Sequence, residues 1–447
     1  MPRRGESAAR RALQMASMTA GVTGSYLGYL AQRAFLSEKG REEKLRSTHA
    51  KAGRRIVTDL QELRGPAMKL GQLFSVQSGI LPDEALAELG SLQREAPGMH
   101  PSLVRAQFRG AMGAPPERVF RSFDETPFAA ASLGQVHRAV TRDGETVAVK
   151  IQYPGITDAV KNDFSWFRAV ATASQIKRYF PESLIAELEQ HIMAETDYVA
   201  EARNIDFFGP SLAPLGFVDV PRVRHDLSRG TVLTLSMVRG DSIEVFLASR
   251  PSQRTRDLVG ERLLELFYFQ VLGLGAFHAD PHWGNYLFRS DGTVGLVDFG
   301  CVRHLSPAFV DNLRSVFLYP GPRDSAPFRA LLSKRYALAG QRLAPKTQSA
   351  LVRMATEFYG TVYPPDVERD QERVDFGDAS IVRLYARESQ NLLRAKATLP
   401  EYVFLGRTES GLYNTLHRLQ ARVRTSAIVR RCLRVGGATA ESGVRRA

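Results

Sequence analysis

Cysteine is nearly missing from this chain. Only Cys301 and Cys432 occur in 447 residues, which excludes a disulfide scaffold and a cysteine-rich metal site and fits a reducing compartment. Long apolar runs are missing too. A spanning helix needs about 18–20 consecutive apolar residues; none occurs, so no membrane-spanning helix is expected. The nearest approach, residues 15–35, is rich in Gly, Ser and Thr and is interrupted by Gln32 and Arg33. It lacks a small-residue cleavage site, which makes it a poor signal peptide. No internal repeat is present. Excess charge is also missing from the middle of the chain. The total is +13, but residues 1–56 carry +8 and residues 418–447 carry +7, leaving −2 on the 361 residues between them. A basic nucleic-acid-binding core is therefore not indicated. The two ends read as solvated basic arms that seek an anionic surface.

What remains is an ordinary soluble composition, 44% apolar and 24% charged, with a length that suits two or three domains or one two-lobed unit. A helical pattern runs over residues 56–77, with Gly65-Pro66 inside it as a kink or restart, and Pro82-Asp83-Glu84 opens another helix. Strands are expected at 119–123, 135–140 and 146–151, the last two joined by a turn containing Asp143-Gly144. A long helix is expected over 184–208, then strands at 218–224 and 231–238. Five strands and one long helix make a small α+β lobe. Beyond Ser242 the pattern is helical, including 307–317, except for a loop-and-strand patch at 278–302.

That patch holds the strongest chemistry. His278-Ala279-Asp280-Pro281-His282-Trp283-Gly284-Asn285 is followed by Asp298-Phe299-Gly300, so Asp280 and Asn285 are five positions apart and Asp298 lies thirteen further on. This is the spacing of a protein-kinase catalytic loop: an aspartate beside the attacking group, then an asparagine and a second aspartate that supply oxygen ligands to magnesium. A competing reading takes His278, Asp280 and His282 as zinc or iron ligands, but it leaves Asn285 and Asp298 unused. On the strand Val147-Ala148-Val149-Lys150-Ile151, the valines and isoleucine share one face, and Lys150 lies on the other. A lysine amid apolar residues requires an anion, and ATP phosphates and a helix glutamate are the expected partners. Candidate acids are Glu195, Asp197 and Glu201. Glu195 lies roughly 160° around an ideal helix from Asp197, so one regular helix does not present all three to one point. Where a glycine-rich phosphate loop is expected, the chain reads Ala129-Ala130-Ala131-Ser132-Leu133-Gly134-Gln135; alanine resists positive φ, which predicts a different hold on phosphate and either a changed nucleotide preference or slowed transfer.

Together with Pro66-Ala67-Met68-Lys69-Leu70-Gly71-Gln72, these motifs resemble the UbiB/AarF family of atypical protein-kinase-like proteins. The resemblance covers about residues 56–435, including Pro400-Glu401-Tyr402-Val403-Phe404-Leu405-Gly406-Arg407. It implies a two-lobed protein-kinase-like α+β fold with an N-terminal helical extension and a mostly helical C-lobe. The expected domains are 1–55 (basic segment), 56–115 (extension), 116–240 (N-lobe), 241–435 (C-lobe) and 436–447 (basic tail). By resemblance, Asp280, Lys150 and Glu201 are catalytic, and Lys150 pairs with Glu201. Asn285 and Asp298 hold Mg2+. Ala130, Ala131, Ser132, Gly134, Gln135, Met237 and Val238 join Lys150 around ATP or ADP. The Lys-x-Gly-Gln segment, with Lys69, Gly71 and Gln72, packs over the place where a protein kinase binds peptide and meets Glu195 and Asp197.

The chain departs from the family pattern at Trp283, where proline is usual, and at Ser236, which replaces an acid on the hinge strand. Paired C-terminal membrane spans are absent, and no Ala-Pro-Glu follows Asp298-Phe299-Gly300 within the usual distance, so there is little platform for a protein substrate. The resemblance implies ATP hydrolysis or phosphoryl transfer to a small molecule or lipid, in support of isoprenoid-quinone (ubiquinone) or lipid metabolism. The alternative is a non-catalytic, ATP-responsive lipid-binding or scaffold protein; phosphorylation of proteins is a third, weaker reading. A cytoplasmic protein is expected, peripheral at an anionic membrane or bound to an isoprenoid lipid, with no nucleic-acid partner.

Overall fold

The computed structural model describes residues 4–33, 36–63, 84, 88, 99–131, 133–173, 182–280, 282–338, 345–365, 368–385 and 400–443. Lys69, Gly71, Gln72 and Ser132 lie outside them. The chain forms two units: Met1–Ala200 with Val223–Ser236, and Glu201–Arg222 with Met237–Ala447.

The first unit begins with two helices that pack on each other, α1 (Arg4–Gln32) and α2 (Glu38–Leu63). Helix α3 (Pro101–Met112) starts at a His100 cap with proline in its first turn and stops at Gly113, whose φ of 75° suits glycine. It covers an antiparallel sheet of β1 (Ser122–Phe123), β2 (Ala129–Ala131), β3 (Gly134–Val140), β4 (Thr146–Gln152) and a last strand, Val232–Ser236. The order is β1-β3-β4-last strand, with β2 also beside β3. The alternation in β4 works as expected: Val147, Val149 and Ile151 are fully buried and cluster with Val104, Phe108, Phe120 and Val232. Each such side chain contributes about 1.5–3 kcal/mol by leaving water. A second cluster joins Leu133, at the tip of the β2–β3 hairpin, to Ile156, Val160 and Phe164 of α4 (Ile156–Ala173) and Ile185, Leu188 and Ile192 of α5 (Glu182–Ala194).

Three local expectations are corrected. The strand expected at 119–123 is reduced to β1, because Pro115-Pro116 starts a helical turn, Pro116–Val119. The fifth strand of the sheet is β2 rather than 218–224. Three alanines have little intrinsic strand preference, and β2 is held by its pairing, Ala129 opposite Val136 and Ala131 opposite Gly134. The long helix expected at 184–208 is two helices, α5 and α6 (Tyr198–Leu212). Between them Thr196 Oγ1 donates to Met193 O at 2.7 Å, and Asp197 caps α6 by accepting from Ala200 N at 2.9 Å. Glu195 and Asp197 therefore do not sit on one regular helix with Glu201, which removes the facing conflict.

In the second unit, β5 (Val218–Asp219) pairs parallel with β8 (Val294–Leu296), which pairs antiparallel with β7 (Tyr286–Phe288). Strand β6 (Ala276–His278) pairs with β9 (Val302–His304). The described residues also form helices α7 (Gln253–Tyr268), α8 (Pro307–Leu318), α9 (Ala326–Leu338), α10 (Pro345–Val362), α11 (Pro400–Leu419) and α12 (Thr425–Gly443), with a short helix at Ile243–Ala248 and a two-stranded pairing of Val374–Asp375 with Arg422–Val423. The chain passes from Asp298-Phe299-Gly300 through β9 directly into α8, as expected. Among the described residues no helix is long and apolar enough to cross a membrane.

The basic C-terminal segment is not the solvated arm expected from its charge. Ile428, Val429, Cys432 and Leu433 of α12 are buried. Arg424 makes two 2.8 Å bonds to Glu261, and Arg431 bonds Glu265 at 2.7 and 2.8 Å. Arg418 meets Glu244 at 3.0 Å, Arg422 meets Asp375 at 3.4 Å, and Arg430 pairs with Asp370. Acids from distant parts of the sequence absorb this charge, which composition alone does not reveal.

Candidate active site

The loop after β6 is held mainly by its own side chains. Asp280, only 8% exposed, accepts from Asn285 Nδ2 on Oδ2 at 2.9 Å and from His282 N on Oδ1 at 3.4 Å. His282 Nδ1 accepts from Gly284 N at 3.1 Å, and a Cβ on residue 284 would lie 2.8 Å from that nitrogen, so glycine is required there. The next strand is β7, and Val297 N donates to Asn285 O at 3.0 Å. The β7–β8 hairpin thus brings Asn285 and Asp298 to one end, as the sequence spacing implied.

The Asp298-Phe299-Gly300 backbone is gripped from several sides. His278 Nε2 donates to Asp298 O at 2.5 Å, and Gly300 N donates to Asp298 Oδ1 at 2.9 Å. Phe299 N donates to Glu201 Oε1 at 3.4 Å, while Asn204 Nδ2 donates to Phe299 O at 2.8 Å. Glu201 and Phe299 are both buried, and Phe208 packs on Phe299 with centroids 5.5 Å apart. Burial, helped by the Asp280 charge, pushes the Tyr286 phenol well up. Asn204 was passed over as a site residue; its place three positions after Glu201, on the same helical face, was the available signal. Asn285 donates its amide N–H to Asp280, which leaves its oxygen as the ligand-type atom; with the Asp298 carboxylate this is a hard oxygen donor set that fits Mg2+. The zinc-or-iron reading is not supported. His278 Nε2 and His282 Nδ1 are taken by the bonds above, and no group of three His, Cys, Asp or Glu able to hold a metal occurs among the described residues.

The sequence-predicted residues of the first unit are placed separately. Lys150, 9% exposed, sits on the central strand with its Nζ 5.1 Å from the Tyr198 ring centroid. A buried ammonium on this strand has the charge that phosphate requires. Ala130 and Ala131 are backbone partners of Gln135 and Gly134. Gly134 is needed for packing, because a Cβ there would run into Ile151 O and the Tyr198 hydroxyl. Gln135 is buried: its Oε1 accepts from Met99 N at 2.6 Å and its Nε2 meets His137 Nε2 at 2.7 Å. His137 Nδ1 bonds Asp124 O at 2.7 Å, and burial pushes its pKa down. Met237 and Val238 belong to the second unit, where Gly295 makes room for Val238. Ser236 pairs with Val147.

A model of the ABC1 atypical kinase-like domain matches residues 91–329. The chain is 33% identical over 290 residues to the Arabidopsis thaliana protein Activity of BC1 Complex Kinase 7, chloroplastic, covering 64% of this chain and 41% of that protein. It is 32% identical over 304 residues to the Caenorhabditis elegans atypical kinase coq-8, mitochondrial, covering 65% and 40%. The match therefore spans about two fifths of the length of these relatives. Among solved structures, Mycobacterium tuberculosis Rv3197 in complex with erythromycin is similar with a TM-score of 0.56 at 25% identity, covering 89% of this chain and 99% of that one. The kinase-like α+β fold expected from the sequence is the one observed.

Proposed function

The chain belongs to the ABC1 atypical kinase-like family, the UbiB/AarF group of its motifs, and from that premise we propose that it is an ATP-dependent atypical kinase or ATPase serving isoprenoid-quinone (ubiquinone) or lipid metabolism. The observation that carries this reading is the 2.9 Å bond between Asn285 and Asp280, in a loop whose hairpin also presents Asp298. In this proposal residues 116–240 form the nucleotide-side lobe and 241–435 the metal-side lobe. Asp280 positions the nucleophile, water or a lipid or small-molecule hydroxyl, and accepts its proton late in a loose transition state. Lys150 neutralises phosphate charge, and Glu201 is its assigned acid. Asn285 and Asp298 hold magnesium, which supplies further charge neutralisation when bound. The backbone around Ala130, Ala131, Ser132, Gly134 and Gln135, with Met237 and Val238, contacts the nucleotide. Lys69, Gly71 and Gln72, with Glu195 and Asp197, restrict protein substrates. Residues 1–56 provide peripheral attachment to an anionic membrane.

ATP turnover with magnesium tests this. Asp280→Asn is expected to slow ADP release by about 100-fold while nucleotide still raises the melting temperature. Equal turnover by wild type and Asp280→Asn removes the assignment. The scaffold reading has one observation in its favour: Leu133 is buried at the tip of the β2–β3 hairpin, and its carbonyl accepts from Tyr153 N at 3.1 Å, so the hairpin is pinned. Nucleotide binding without turnover in the wild type, with or without lipid, decides for it.

A further inference from the structure

Most arginines of the second unit that leave water meet acids or carbonyls. Arg303 and Arg407 do not. Arg303 lies on β9 opposite Phe277, half-buried, with its guanidinium carbon 4.3 Å from the Phe404 ring centroid. Arg407 is half-buried on α11, three residues after Phe404. Residues three apart on a helix are neighbours, and long helical side chains lean back over the preceding turn. Arg303 thus covers the Phe404 ring, and Arg407 stands one helical turn further along from it. The Nε atoms of both are buried without a hydrogen-bond partner, and neither side chain has an ion pair among the described residues. Each buried Nε that lacks an acceptor among the described residues is unfavourable, because a desolvated donor has lost its hydrogen bond to water. Arg424, just before α12, and Arg431, on it, show the contrast: each holds a carboxylate with two bonds.

We propose that Arg303, braced by Phe404, and Arg407, one turn further along α11, form a binding site for a phosphate ester, separate from the nucleotide. The rigid guanidinium fork matches oxyanions, and a phosphate dianion presents three acceptor oxygens, enough for two forks, where a carboxylate presents two. Arg303 is five residues past Asp298, at most about 17 Å of extended chain, so the site lies on the unit that carries the magnesium ligands. The proposal goes beyond the catalytic reading and is tested by binding rather than turnover.

Isothermal calorimetry on the full chain, with ADP and magnesium in excess, would measure uptake of inorganic phosphate and glycerol 3-phosphate at fixed ionic strength. Wild type is expected to bind. Arg303→Gln and Arg407→Gln are each expected to weaken binding by about tenfold with unchanged melting temperature. Arg303→Lys, which keeps the charge but loses the fork, is expected to weaken it less and covers the case in which the glutamine variant does not fold. Co-sedimentation with phosphatidic acid and phosphatidylcholine vesicles separates the two sources. Arginine-dependent capture by phosphatidic acid alone identifies a lipid headgroup, and soluble phosphate binding without vesicle capture identifies a free phosphate ester. No phosphate binding by wild type, or equal binding by all variants, overturns the site. Loss of turnover in Asp280→Asn with phosphate binding intact keeps this result distinct from the catalytic one.

Discussion

The two ends of the chain carry nearly the same charge, +8 over residues 1–56 and +7 over 418–447, and the structure uses them in opposite ways. No hydrophobic side chain described in α1 is buried, and Leu13, Leu27 and Leu30 are exposed. The ion pairs of α2 are surface ones, such as Arg46–Glu42 with side chains 65% and 66% exposed, a class that contributes about 0–1 kcal/mol. Arg33, Lys39, Arg41, Lys44 and Lys51 have no ion pair among the described residues. At the other end α12 buries four apolar side chains, and five arginines between Arg418 and Arg431 meet acids. Nearly equal net charge thus marks a set of exposed cations at one end and a structural clasp at the other. Burial and partner geometry separate them; charge does not.

The largest test of this contrast is truncation. Deleting residues 418–447 removes seven buried apolar side chains; the five Leu, Val and Ile among them are worth about 8–15 kcal/mol together, comparable to the whole stability of a typical domain. The second unit is expected to lose its cooperative thermal transition, whereas deleting residues 1–33 is expected to leave circular dichroism melting nearly unchanged. Similar melts for both truncations would break the contrast.

A smaller effect comes from the clasp itself. Burial pushes Glu261 up, but the Arg424 bonds and charge outweigh it and hold the carboxyl below its ordinary value of 4.5. A carboxyl lowered in the folded state stabilises the fold above its unfolded pKa, and that contribution disappears as pH falls through the folded value. Urea unfolding of the wild type should therefore weaken below about pH 4.5. Glu261→Gln should cost about 1–3 kcal/mol at neutral pH and flatten this part of the profile. An unchanged acid profile in the variant would show that the clasp is not the titrating element.

The smallest effect per residue is at the surface end. Reversing Arg33, Lys39, Arg41, Lys44 and Lys51 to glutamate should abolish flotation with anionic vesicles at low salt, each residue contributing about 1 kcal/mol. Arg418→Gln should leave flotation as it is. Flotation that survives the reversals would remove the membrane role of the N-terminal helices.

The same split runs through the site. Asp280, His282, Gly284 and Asn285 were legible because their bonds close within six residues, and spacing alone records such a loop. The buried face of β4 was legible from alternation. Strand β2 was not, because three alanines carry no strand signal and only the partner β3 supplies one. The break between α5 and α6 was visible only as a geometric conflict among Glu195, Asp197 and Glu201. The hold of Asn204 on Phe299 spans 95 positions; its shared face with Glu201 was the one local signal, and its partner had none.

Residue types at short spacing were enough, by themselves, to identify the kinase-like loop, the lysine strand and the family, since the chemistry of magnesium and phosphate demands particular atoms a few residues apart. Only the tertiary structure decided which charges of the C-terminal segment are paired and which half-buried arginines keep an Nε without a partner among the described residues. Those answers rest on contacts such as Arg424–Glu261 and Arg431–Glu265, 163 and 166 positions apart. Whether a charge is solvated or paired is a property of its neighbours in space.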